Sequence, residues 1–168
     1  MGVTATRFDM SQCVVFTLDE RFYGVRLSVV MRVLRAVEII PLPKAPPIVI
    51  GVINLGGRII PVVNIRRRFH LPERELEPSD QFIVAMASKH DAHEGGGRIL
   101  ALAVDAVVGV RDLSAQDTTA AETILPGLEY LEGVAKTDQG LVLIHDLETF
   151  LSLEEEKALG AILPEGKE

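Results

Sequence analysis

The sequence predicts a mainly β protein in which one small barrel is made twice. Valine and isoleucine together number 32 against 8 aromatics, and β-branched side chains suit a pleated surface better than a helix. The second half of the chain also repeats the first in order. Val25, Leu27, Val30 and Val33 share the spacing of Leu102, Val104, Val107 and Val110 at an offset of 77. Gly51-Val52, Val62-Val63-Asn64-Ile65 and Phe69 return as Gly133-Val134, Ile144-His145-Asp146-Leu147 and Phe150 at an offset of 82 that slips to 81 at the Phe pair. Two ordered matches at nearly one offset imply two related subdomains of roughly 80 residues, too long a period for a solenoid unit.

The elements follow in order. Residues 14–18 and 22–27 flank the polar break Asp19-Glu20-Arg21 and read as a hairpin. Residues 28–34 fit both a helical turn and a strand start. Residues 35–41 are extended, and Pro41, Pro43, Pro46 and Pro47 make 42–47 a rigid connector. A hairpin then runs over 49–55 and 58–65, because Gly56-Gly57 supplies the positive φ angles that a two-residue turn demands. Pro61 cannot donate a ladder hydrogen bond, which predicts an edge strand or a bulge. The second-half counterpart is 131–136, a turn ending at Gly140, and 141–145. Asp146 can cap a short helix to Phe150, and Ser152 with Glu155 has the form of a capping box leading residues 153–163.

Composition narrows the function. Mean hydropathy is +0.26, but the apolar runs are strand-sized, short of the ~20 residues of a membrane span. The charge of -7 and a pI near 5.1 argue against a nucleic-acid partner, which clustered Lys and Arg would serve. The one basic run, Arg66-Arg67-Arg68, reads as a solvated rim. The single Cys13 sits among Val14, Val15 and Phe16 as a small buried hydrophobe. With no signal-peptide pattern, a reducing cytoplasmic setting is expected.

No catalytic or cofactor motif emerges. Gly56-Gly57-Arg58 lacks the lysine and hydroxyl of a phosphate loop. His90, Asp91, His93 and Glu94 precede a triglycine, a poor frame for a metal site. No serine lies in a Gly-x-Ser-x-Gly elbow. His145 beside Asp146 could be a base and its orienter, but reads more simply as the last residue of a strand. Asp105, a charge inside an apolar run, must be paired or exposed. A rigid β scaffold without an active site fits a docking module.

Four segments carry a resemblance: VVFTLDERFYGV, GVINLGGRIIPVVNIR, LALAVDAVVGV and YLEGVAKTDQGLVLIHDLETFL. In order and spacing, from Cys13 to Leu151, they resemble the CheW family of chemotaxis coupling proteins. The resemblance implies two SH3-like five-stranded β-barrel subdomains around a shared core over 13–151, with a junction near 70–82. A flexible tail (1–12) would precede them, with a C-terminal helix (152–163) and a disordered tail (164–168) after them. It implies a cytoplasmic, non-catalytic adaptor without cofactors, recruited to membrane-associated chemoreceptor arrays without entering the membrane. Its partners would be the cytoplasmic tip of a methyl-accepting chemoreceptor and the regulatory domain of the histidine kinase CheA. By similarity, receptor contacts map to Val30, Arg32, Val33, Asn54, Gly56 and Phe82, in a groove at the barrel junction, while kinase contacts map to exposed barrel ends. The chain departs from the family pattern where Arg32 replaces an acidic residue, Gly56 an arginine and Asn64 an aspartate. These departures raise an accessory pathway, or a structural ring component that has lost receptor coupling, as alternatives.

Overall fold

In a computed structural model the described residues are 12–88, 97–113, 118–120, 131–138, 140–147 and 150–163. Their strands are β1 (Gln12–Leu18), β2 (Arg21–Arg26), β3 (Val30–Arg35), β4 (Val49–Leu55), β5 (Arg58–Val63), β6 (Gln81–Ser88), β7 (Gly97–Val104), β8 (Ala106–Asp112), β9 (Thr118–Ala120), β10 (Leu131–Thr137) and β11 (Gly140–His145). Two helices, α1 (Ile65–Arg68) and α2 (Leu153–Ile162), complete the described elements with a 3-10 turn at Leu27–Val29. The fold is mainly β.

The strands form two sheets, β8-β1-β2-β11-β10-β9 and β3-β6-β7-β5-β4. Neither sheet comes from one half of the chain. The first half sends β1 and β2 to the first sheet and β3, β4 and β5 to the second, and the second half does the reverse. Residues 70–80 therefore separate the two sequence repeats but not the two sheets. The chain changes sheets at the 3-10 turn and at Asp105.

The sequence repeat is a repeat of register. Gly24 faces Ile144 in the parallel pair of β2 and β11, and Ala101 faces Val62 in the parallel pair of β7 and β5. The offsets of 77 and 82 carry one pair onto the other. Both irregularities recur as well. The β4–β5 ladder slips between Val49 and Gly51, and the β10–β11 ladder between Leu131 and Gly133. Met31 is skipped where β3 meets β6, as is Val108 where β8 meets β1. A bulge re-aims the residues around it, so keeping it in both copies keeps the same curvature.

Three apolar clusters result. The largest lies between the sheets and includes Phe16, Tyr23, Val63, Ile83, Leu102 and Phe150. Each sheet also covers a smaller cluster on its other face, Cys13, Val15, Ala135, Val142 and Ile144 in the first and Phe82, Val84, Ile53, Ile60 and Val62 in the second. Strand alternation divides the side chains between the shared and private clusters. In the shared one, the repeat's terminal Phe69 and Phe150 meet edge-on, centroids 6.4 Å apart. Cys13 is fully buried, and burial pushes its thiol up to about 11, which makes it an inert packing residue.

Several expectations change. Ile65 opens α1 instead of ending β5, because the Asn64 side chain accepts from the Arg67 N–H at 3.2 Å. β5 is an interior strand, paired on both sides. It tolerates Pro61 because the opposite residue, Val52, turns its N–H and C=O outward to Ile40, at 2.8 Å each. Pro61 thus faces β4 in a non-hydrogen-bonded pair, where no N–H is required. The bulge lies in the same hairpin, at Gly51. Any Cβ there would stand 2.4 Å from the Ile40 carbonyl oxygen and 2.7 Å from Ile39 Cγ2. The capping box at Ser152 is present, with the Glu155 N–H donating to Ser152 Oγ at 3.1 Å and the Ser152 N–H to Glu155 Oε1 at 2.9 Å. The helix expected from Asp146 to Phe150 includes residues 148 and 149, which lie outside the described residues.

The basic run is a solvated rim only at Arg67. Arg66 is 7% exposed and bonds both oxygens of Asp105 at 2.8 and 2.9 Å, Asp19 Oδ1 at 2.9 Å and the Pro72 carbonyl at 2.9 Å. Arg67 pairs with Glu73, and Arg68 with Glu155 of α2. Asp105 also accepts from the Asp19 N–H at 2.8 Å and from Arg74, which in turn holds Asp80. The β1–β2 turn needs that help, since Asp19 and Glu20 both have positive φ, 52° and 68°, with no glycine. Burial by itself pushes the Asp105 carboxyl up. Hydrogen bonds from Arg66, the Asp19 N–H and Arg74, with the charge of Arg66, outweigh it and hold the group below the usual carboxylate range.

Two stability predictions follow from this packing. Gly51→Ala should lower unfolding free energy by about 1–3 kcal/mol through overpacking; an unchanged urea midpoint would show that the 39–40 segment yields freely. Because the folded Asp105 value is depressed, its contribution is present above the unfolded value of about 3.9 and is lost as pH falls below it. Asp105→Asn should therefore cost about 1–3 kcal/mol at neutral pH, and the gap to wild type should close on acidification. Parallel thermal unfolding curves at every pH would contradict the network's role.

Candidate functional site

A cleft of about 550 Å³ opens on the private face of the second sheet. Its floor is Ile60, Val84 and Ile99, one residue each from β5, β6 and β7. Met31 and Arg32 of β3 form one wall, and the β4–β5 hairpin from Leu55 through Gly56 and Gly57 to Arg58 forms the other. β3 and β4 are the opposite edges of this sheet. A cleft that touches both requires the sheet to curl back toward itself.

The hairpin wall is held by its own backbone. Gly56 and Gly57 have φ of 61° and 90°, and Asn54 Oδ1 accepts from the Gly57 N–H at 2.8 Å. An arginine at position 56 would have to adopt the left-handed region, which costs an L side chain energy that glycine does not lose. Gly140 has φ 117° at the equivalent point of the β10–β11 hairpin.

Of the residues singled out from the sequence, Val30, Arg32 and Val33 lie on β3, Asn54 and Gly56 on or beside the hairpin, and Phe82 on β6. All belong to the second sheet. Only Arg32 and Gly56 line the cleft. Alternation places Val33, opposite Ile83, on the other face of the strand from Arg32, opposite Val84. Val30 is partly buried against the shared core, and Asn54 serves the turn. Phe82 is 0% exposed and packs with Ile53, Ile60 and Val62 on the same face as the cleft floor, so its side chain supports that floor from within the private cluster. Sequence reading missed Met31, Arg58 and the three floor residues. Met31 is half exposed at 49% because the bulge pushes it out of the ladder, and a bulge leaves no mark in hydropathy.

A second groove, about 410 Å³, runs along the ionic network and is lined by Asn64, Arg66, Arg74, Asp80 and Asp105 among others. Its buried charges are already paired within the chain, as described above. His145 is 6% exposed and stacks on Phe69, centroids 4.0 Å apart, and on Tyr23 at 5.4 Å. It fills the shared core as the last residue of β11. Among the described residues no group of three His, Cys, Asp or Glu side chains is placed to hold a metal ion; the His90, Asp91, His93 and Glu94 cluster lies outside them. No described helix is long and apolar enough to cross a membrane.

The geometry is thus an open, apolar-floored cleft on a rigid two-sheet frame. Comparison with known proteins agrees with it at the level of the whole chain. The CheW-like domain family matches residues 12–155. The chain is 28% identical over 155 residues to the chemotaxis protein CheW of Treponema pallidum (strain Nichols), covering 90% of this chain and 88% of that one. It is 27% identical over 136 residues to CheW of Thermotoga maritima, covering 81% and 84%. The crystal structure of the scaffolding protein TtCheW from Thermoanaerobacter tengcongensis superposes with a TM-score of 0.72 at 28% identity, over 86% of this chain and 94% of that one. The repeated strands, the shared core and the match across both sheets have one reading: the chain belongs to the CheW-like domain family.

Proposed function

We propose that this chain is a non-catalytic adaptor of chemotaxis signalling, working in the cytoplasm at membrane-associated arrays, that joins a chemoreceptor's cytoplasmic tip to the regulatory domain of CheA. The observation that carries this reading is the family match over 12–155, which takes in both sheets instead of one shared module. Receptor docking is assigned to the β3 and hairpin walls of the cleft, with Arg32 and Gly56 as contacts, Val30, Val33 and Asn54 beside them, and Phe82 as support from below.

Kinase docking is assigned to the exposed apolar positions of the first sheet. Val110 and Leu141 are 47% and 58% exposed. The repeat offsets carry Val33 and Ile59 of the second sheet onto these two residues. Large apolar side chains left in water at matching positions are what a protein interface would cover. Their duplication also favours the second reading, a ring component that repeats by contacts between unlike ends.

Calorimetric titration with the CheA regulatory domain, followed by a receptor-tip fragment, separates the readings. The coupler binds both, and the ring component binds only the kinase domain. Binding to neither would sink both. Leu141→Asp should weaken kinase binding about tenfold and leave receptor binding unchanged; equal loss of both would show that the first sheet is not a separate docking face.

A further inference from the structure

The chain as a whole is acidic, with a formal charge of -7, but the cleft of the second sheet is not. Its lining has no carboxylate and two arginines, Arg32 on one wall and Arg58 on the other. The charged side chains that line the cleft are therefore of the opposite sign to the net charge of the molecule. Arg32 is exposed and makes no ion pair with the described residues. Gly56, facing it across the cleft, has no side chain to fill the space. The cleft's accessible apolar surface comes from Met31, 49% exposed, and from the half-buried Leu55 and Ile99.

This arrangement asks two things of an occupant: an apolar group for the floor and a negative charge at the rim. A cationic rim repels a basic segment, and a neutral one leaves the guanidinium without a partner. A planar guanidinium matches a carboxylate by two parallel hydrogen bonds. We propose that the partner segment docking in this cleft presents an apolar side chain with an Asp or Glu beside it, and that Arg32 reads the carboxylate. The proposal rests on the receptor-docking reading above and adds to it the chemistry of the partner and the residue that selects it.

The test uses the full chain and, as probe, a soluble fragment of the cytoplasmic tip of a chemoreceptor encoded in the same genome. Binding is measured by calorimetry at about 50 and about 300 mM NaCl for wild type, Arg32→Glu, Arg32→Gln and Met31→Asp, each checked for unchanged thermal melting. Arg32→Glu should weaken binding about tenfold or more at low salt, with Arg32→Gln between it and wild type. Much of the difference should vanish at high salt. If both Arg32 variants bind within about twofold of wild type while Met31→Asp abolishes binding, the cleft docks the receptor but its charge is not read, and the proposal is overturned with the receptor reading intact. If all three variants bind like wild type, the partner docks elsewhere and the proposal fails. If wild type itself does not bind, the receptor reading fails and takes the proposal with it.

Discussion

Strand pairs that cross between the two sequence repeats hold this molecule together. β1 with β8 and β3 with β6 cross antiparallel, and β2 with β11 and β5 with β7 cross as two short parallel pairs. All four join residues far apart in the chain, so neither sheet can be completed until both repeats are present. Parallel pairing needs a long crossover; between β2 and β11 it carries the whole second sheet, and between β5 and β7 it runs through α1, the 70–80 connector and β6. The shared core follows directly. Each repeat has left one of its hairpins on the far side, and the faces between the sheets must close on each other to remove Phe16, Tyr23, Phe69 and Phe150 from water.

The ionic network answers the same constraint at the point where the chain changes sheets. Asp105 sits between β7 of one sheet and β8 of the other, where its N–H donates to the Thr17 carbonyl at 3.0 Å and its carboxylate is left to the side chains around it. Arg66 brings α1 to it, Asp19 brings the β1–β2 turn, and Arg74 brings the 70–80 connector. Charges drawn this far from solvent are costly unless each is paired several times over. Arg66 and Arg74 supply that multiple pairing.

The cleft inherits its shape from the bulge and the glycine turn. Skipping Met31 aims Arg32 and Leu34 to the private face of the second sheet, and Gly56-Gly57 folds the hairpin opposite. The departures from the family pattern at positions 32, 56 and 64 differ in consequence. Asn64 caps α1 with a side-chain oxygen, the same service an aspartate gives. Arg32 and Gly56 change the charge and depth of an exposed cleft, and so bear on which partner fits. As an edge strand, β3 also gains from Arg32 and Arg35, because charge along an open edge discourages pairing with another chain.

Much of this was legible in the amino-acid order. Valine and isoleucine spacing reveals the strands, Gly-Gly the hairpin turn, Ser152 with Glu155 the helix cap, and the offsets of 77 and 82 the duplication, because each of these depends on neighbours within a few residues or on direct comparison of two segments. The sequence could not show which strands share a sheet, that Arg66 is buried instead of solvated, that Phe82 supports the cleft floor from within its cluster, or that Arg32 and Gly56 face one cleft while Val33 lies on the other face. Those outcomes turn on register and on contacts between distant positions, from Arg66 with Asp105 to the pairing of Phe22 with Val142. A single skipped residue at a bulge decides which face a side chain takes, and only the closed tertiary structure brings a distant carboxylate to an arginine.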